Sequence, residues 1–203
     1  MNTITDHHLV IFCKNPILGH CKTRLARSIG PENALRVYQI LLQHTANVMA
    51  QVPARRTVFY SQHIEHKDCF DPQYFHKDCQ SGSDLGTRMR HALNNAFLLG
   101  AKKAVLVGSD LYDVSPELIQ MAFDELDTHE TVIGPAQDGG YYLIGMRTLN
   151  TDLFKNKDWG TDTVLTDTLH ILNPDLTSLL PEKNDIDTID DLSGEELFKP
   201  FIK

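Results

Sequence analysis

The stretch Ala104-Val105-Leu106-Val107-Gly108-Ser109-Asp110-Leu111-Tyr112-Asp113 decides the fold. Four apolar residues run into a glycine, and a helix signal follows at Ser115-Pro116-Glu117. A short apolar run closed by a turn reads as a buried strand, and its valines favour that state. A strand buried on both faces belongs inside a parallel sheet. Ligands of such sheets sit beyond the carboxyl ends of the strands. Asp110 is the first acidic side chain past this strand, with Asp113 three residues on. A carboxylate placed there suits a hard divalent cation, which takes one or two carboxylates plus phosphate oxygens. Asp is equally at home in a turn or a helix cap. Spacing alone leaves both roles open.

Outward from this strand, the chain reads as one α/β domain over residues 1–203, with ordinary hydrophobic (41%) and charged (23%) content. The net charge of −8 argues against a general nucleic-acid binder. No apolar run approaches the length of a membrane span, and Met1–His8 is polar, without a signal-peptide core. The four cysteines lack Cys-x-x-Cys spacing. A reduced, cytoplasmic location is expected.

Leu9–Cys13 reads as the first strand. The loop after it, residues 14–27, carries Lys14, Lys22, Arg24 and Arg27, and no acidic residue occurs from His7 to Pro31. A basic loop beyond a central strand suits an anion. Gly19 permits close backbone approach. The Gly-Lys-Ser/Thr ending of a Walker loop is missing. Helices are expected from about 31 to 50, 85 to 99, 116 to 126 and 158 to 172. Further strands are expected at 56–60, 131–135 and 141–144. The twin tetrads His66-Lys67-Asp68-Cys69 and His76-Lys77-Asp78-Cys79 offer soft-metal donors, with coincidence in a variable loop the stronger reading. Asp138-Gly139-Gly140-Tyr141 reads as a hairpin or as a ligand-contacting loop. Trp159, the sole tryptophan, stands at a helix start and reads as a stacking surface or a core lid. In the tail, Asp185 and Asp187 share one face of a strand-like stretch. Thr188 reads as an N-cap, with Asp190 and Asp191 structural in the first helical turn.

Taken in order, several motifs resemble a known family. They are Lys14-x-Pro16-x-x-Gly19-x-x-Lys22-Thr23-Arg24-Leu25, Asp84-Leu85-Gly86-x-Arg88-Met89 and Gly108-Ser109-Asp110. They continue with Gly134-Pro135-Ala136-x-Asp138-Gly139-Gly140-Tyr141, Thr161-Asp162-Thr163-Val164-Leu165 and Asp185-Ile186-Asp187-Thr188. The pattern resembles the rSAM/selenodomain-associated transferase 1 group, often labelled arsenosugar-biosynthesis glycosyltransferases. That group lies within the nucleotide-diphospho-sugar transferase superfamily. The sequence departs from the family at Tyr112, where Pro is usual, and at Gly160, where Ser is usual.

The resemblance implies a single-domain GT-A fold: a mostly parallel sheet of about six or seven strands with helices on both faces. It implies Mg²⁺ (or Mn²⁺) on Asp110 and Asp187, and a catalytic role for Lys22, Arg24 and Asp110. Lys14, Gly19, Lys22, Arg24, Gln80, Leu85, Gly86 and Ser109 would bind nucleotide. Asp138, Gly139, Gly140, Tyr141, Trp159, Thr161, Asp162 and Thr163 would face the acceptor. The partners would be a nucleotide or nucleotide-sugar and a small-molecule acceptor, with no nucleic acid or membrane. Two activities fit: glycosyl transfer from a nucleotide-sugar, and nucleotidyl transfer with pyrophosphate release. The second is similar to 2-phospho-lactate and molybdenum-cofactor guanylyltransferases. A nucleotide-binding protein without turnover is a third reading.

Overall fold

The computed structural model describes residues 6–202, so most of the polar N-terminal segment read above, residues 1–5, lies outside the described residues. Seven strands form one sheet: β1 (His7–Cys13), β2 (Arg55–Tyr60), β3 (His76–Cys79), β4 (Lys103–Val107), β5 (Thr131–Pro135), β6 (Tyr141–Met146) and β7 (Thr177–Leu179). Their order is β3-β2-β1-β4-β6-β5-β7. Strand β4 is therefore central, as its unbroken apolar run required. Strands β1, β2, β3 and β4 run parallel, and only β6 runs against its neighbours β4 and β5.

Alternating side chains of each inner strand feed two cores. Leu9, Ile11, Val105 and Val107 face one core, with α1 (Thr23–Ile29), α2 (Pro31–Met49), α4 (Pro116–Glu125) and the C-terminal tail. Val10, Phe12, Ala104 and Leu106 face the other, with α3 (Leu85–Leu98), the 3₁₀ turn Thr151–Phe154 and α5 (Val164–Leu169). The period-2 alternation of a strand is what makes a three-layer domain from one sheet.

Local signals set the helix starts. Ser115 Oγ accepts from Leu118 N–H, which fits the helix signal at Ser115-Pro116-Glu117, and Asp84, at a position the sequence reading left as loop, caps the next helix by accepting from Thr87 N–H. Four sequence expectations need correction. Residues 23–29, read as loop, form a helix without a side-chain cap. The helix expected from 158 shortens to Val164–Leu169, because Gly160 takes φ +88° and the Thr161 hydroxyl donates back to the Asp158 carbonyl, closing a turn there instead. Residues 185–187 are irregular rather than strand-like. Thr188 is not a cap; its N–H and hydroxyl donate to Asp191. No described helix is long and apolar enough to cross a membrane.

Candidate active site

Strands β1 to β4 end on the same rim, and the residue after each strand faces one cavity of about 330 Å³. Those residues are Lys14, Ser61, Gln80 and, past Gly108, Ser109 and Asp110. Strand β6 is antiparallel, so its first residues, Tyr141 and Tyr142, reach the same rim. The chain leaves β1 toward β2 and β3, then crosses back to β4 on the other side. The cavity thus lies at the topological switch point, where doubly wound folds bind ligands. Its apolar lining comes from Phe12, Leu85, Met89, Leu106 and Leu111.

Gln80 Nε2 donates to the carbonyls of Cys13 and Phe59, both at 3.1 Å. Both amide hydrogens are spent on strand ends, which leaves Oε1 as a pure acceptor on a residue lining the cavity. The Tyr141 hydroxyl is buried with no partner among the described residues, and burial raises its pKa. Tyr38, a buried residue of α2, also reaches the rim. Its hydroxyl takes Lys14 N–H at 2.8 Å and lies 3.2 Å from Ser109 Oγ.

A second cavity, of about 180 Å³, adjoins the first and shares Lys14, Tyr38 and Asp110 with it. Lys22, Arg24 and Asp187 complete it. The Lys22 side chain is 3% exposed, and its ammonium lies 2.9 Å from Asp110 Oδ2 and 3.0 Å from Asp187 Oδ1. Burial alone would push the Lys22 pKa down, but the two carboxylates outweigh it and hold it above the ordinary value. Burial likewise opposes the charge on Asp187, yet Lys22 and Arg24, the latter 3.1 Å away, keep that carboxyl below the usual range. Among the described residues, no cation pairs with Asp185 as Lys22 and Arg24 do with Asp187. Burial and the neighbouring Asp110 push its pKa up to about 7. It lines the larger cavity.

Asp110 and Asp187, 77 positions apart in sequence, thus aim oxygens at one point. Hard oxygen donors converging on a single cation fit Mg²⁺ or Mn²⁺, with phosphate oxygens as the remaining ligands. No closed cage of three or more His, Cys, Asp or Glu is gathered among the described residues. The twin tetrads do not form such a group, in keeping with the stronger reading of them as coincidence. Asp68 instead accepts from the Tyr60 hydroxyl and pairs with Lys77 at 2.6 Å. Asp113 is committed to Lys183.

Other expected residues fall elsewhere. Gly19 sits in an exposed turn at φ +77° and borders neither cavity. Gly86 is buried under Trp159 rather than open to a ligand. The Asp138-Gly139-Gly140 turn joins β5 to β6 as a hairpin, with Asp138 Oδ1 accepting from Gly140 N–H at 2.9 Å. Gly139, at φ +85°, lies against the Asp162 backbone, where any side chain would collide. Thr161, Asp162 and Thr163 are exposed and build the turn before α5, outside the larger cavity. Trp159 contacts the cavity through Tyr141, edge-to-face at 6.5 Å between centroids. Sequence reasoning passed over Ser61 as a site residue; the signal available was position, the first residue past the rim end of a strand.

Comparison with known proteins agrees with this architecture. A structure from Desulfovibrio desulfuricans G20, described as a "putative nucleotide-diphospho-sugar transferase", is 33% identical, covers 96% of this chain and 88% of that one, and superposes with a TM-score of 0.87. The 4-diphosphocytidyl-2C-methyl-D-erythritol synthase of Anaerococcus prevotii DSM 20548 is 9% identical over 93% of this chain and 94% of that one, with a TM-score of 0.58. Rv0371c of Mycobacterium tuberculosis H37Rv, in complex with manganese, is 16% identical over 92% and 95%, with a TM-score of 0.52. These last two share the fold. No curated protein matches the chain. Residues 44–161 match the family described as "Uncharacterized protein conserved in bacteria (DUF2064)", and the chain belongs to that family.

Proposed function

We propose that this protein is a divalent-metal-dependent transferase that uses a nucleotide-activated donor, transferring a glycosyl group from a nucleotide-sugar to a small acceptor. The observation that carries the reading is the continuity of the two cavities through Asp110 and Lys14. One is an apolar slot with a few polar atoms, suited to a base and its ribose. The other is small and cationic, suited to phosphates. The description of the 33%-identical relative supports the same donor class. The motif order supports placement in the rSAM/selenodomain-associated transferase 1 group.

Asp110 and Asp187 would hold Mg²⁺ or Mn²⁺, which supplies neutralisation of charge on the phosphate oxygens. Lys14, Lys22 and Arg24 share that load as charge develops on the leaving nucleoside diphosphate. Gln80 Oε1 accepts from a base N–H. Tyr141 and Trp159 close the side of the cavity toward the acceptor. The work of the chain is then positioning and electrostatics, as in phosphoryl chemistry generally.

A second reading, nucleotidyl transfer from a nucleoside triphosphate to a phosphorylated acceptor, is favoured by three cationic side chains around one small cavity. Product analysis with each nucleotide-sugar and each triphosphate separates the two. Free nucleoside diphosphate with a glycosylated product supports the first; pyrophosphate supports the second. Tight nucleotide binding without turnover in any combination overturns both.

A further inference from the structure

Lys22 is a costly residue to build as it stands. Its backbone is left-handed, φ 48° and ψ 47°, a region that non-glycine residues seldom enter. Its side chain is buried at the amino end of α1, and its ammonium sits between two carboxylates that lie 77 positions apart in the sequence. Strain of this kind persists where surrounding contacts over-determine it. An ammonium on a four-carbon stem is a compact point charge that can swing to another anion, which a guanidinium fork does less readily.

The point Lys22 Nζ occupies is also where the Asp110 and Asp187 oxygens converge. A metal about 2.1 Å from both oxygens, entering from the side that Lys22 Nζ occupies, would overlap that nitrogen, so the ammonium must move first. We propose that Lys22 is an internal counter-ion that competes with the divalent cation for Asp110 and Asp187, so that the metal enters only as nucleotide phosphates draw the ammonium away. This inference rests on the reading of the site as one for metal and nucleotide. It adds a source of positive coupling beyond the shared phosphate ligands: each of metal and nucleotide removes an obstacle to the other, so removing Lys22 should tighten metal binding without nucleotide. With Lys22 between them and Arg24 on Asp187, the two carboxylates are already offset, and metal alone gains little.

The test uses the full-length protein and Mn²⁺ alone, followed by loss of the free-ion electron paramagnetic resonance signal. Lys22→Met leaves the carboxylates without their ammonium. Its expected Mn²⁺ dissociation constant is at least tenfold below that of the wild type, and the gain disappears in Lys22→Met/Asp110→Asn. A variant that binds Mn²⁺ no tighter than wild type overturns the proposal, as does a gain that survives loss of Asp110. If Lys22→Met does not fold in metal-free buffer, Lys22→Gln takes its place. Recovery of folding by Mn²⁺ but not by an equal ionic strength of NaCl then supports the competition, and no recovery opposes it. Nucleotide and nucleotide-sugar binding by the wild type in the same buffer tests the underlying reading separately. Binding there with no Mn²⁺ gain in the variant overturns the competition alone. A Mn²⁺ gain in a protein that binds neither compound overturns the nucleotide reading and leaves the competition standing.

Discussion

The indole of Trp159 occupies the space that a side chain on Gly86 would need: a Cβ there would meet Trp159 Cζ2 at 2.5 Å and the Phe154 carbonyl oxygen at the same distance. Glycine at the second residue of α3 is therefore what lets the 151–159 segment close over the helix start. Gly86→Ala should cost about 1–3 kcal/mol through overpacking and displace the indole. The protein has one tryptophan, so its fluorescence reports this site alone. A red-shifted emission and a lower melting temperature are expected. Unchanged emission would show that the segment accommodates a methyl without moving.

His8 gives the fold an acid limit. It is 3% exposed on β1, and its Nε2 lies 2.9 Å from Thr57 Oγ1. Burial, with Arg55 and His76, pushes its pKa down to about 4 from an ordinary 6.5. A histidine with a depressed pKa stabilises the fold fully above its unfolded pKa. That contribution is lost as pH falls from about 6.5 toward 4. The loss is of the order of 3 kcal/mol. His8→Gln, which keeps a hydrogen-bonding atom, should flatten the melting temperature across this window. An acid sensitivity equal to the wild type's would mean that other groups set the limit.

The apolar runs of β1, β4 and β5 made the sheet legible, since strands buried on both faces are written in uninterrupted hydrophobic residues. The edge strands β3 and β7 were not legible: His76-Lys77-Asp78-Cys79 and Thr177-Ser178-Leu179 are partly exposed and carry no such run. Helix α1 escaped because it starts without a capping side chain, from a left-handed Lys22. Within the site, the placement of Asp110 past β4 followed from strand position alone. Its pairing with Lys22, and that of Lys22 with Asp187 across 165 residues, depends on tertiary approach that no local pattern encodes. The same holds for Gly86, whose role depends on a tryptophan 73 residues away.

Gln80 ties the ends of two strands and faces the larger cavity at once. Gln80→Glu replaces the donor to Cys13 and Phe59 with an acceptor, leaving those carbonyls opposed by a carboxylate. A loss of about 1–3 kcal/mol in stability is expected. Nucleotide affinity should fall at least tenfold, because the cavity gains a negative charge. Gln80→Glu with wild-type stability would show that the two strand-end hydrogen bonds contribute nothing net.

Asp191 fixes the loop that carries Asp187 without reaching the cavities. Its Oδ2 accepts from Asp187 N–H at 2.9 Å, Thr188 N–H at 2.6 Å and the Thr188 hydroxyl at 2.9 Å, while Oδ1 accepts from Asn184 at 2.6 Å. Immediately upstream, Ile186 is buried and donates its N–H to the Asp110 carbonyl at 3.1 Å. The loop is thus pinned at both ends, and Asp187 is held between the pins with its carboxylate toward Lys22. Removing one pin frees the Asp187 backbone and leaves two N–H donors to water. Asp191→Ala should lower stability by about 1–3 kcal/mol. It should also weaken nucleotide binding in the presence of Mg²⁺ by about tenfold, since misplacing a ligand by a fraction of an ångström is costly in a two-carboxylate site. Asp190→Ala is the control, because that side chain is exposed beside the same turn. Calorimetry of nucleotide binding with and without Mg²⁺ reads the effect. A merely structural Asp191 would lower the melting temperature in both buffers and leave the Mg²⁺ dependence of binding intact; a positioning Asp191 removes most of that dependence.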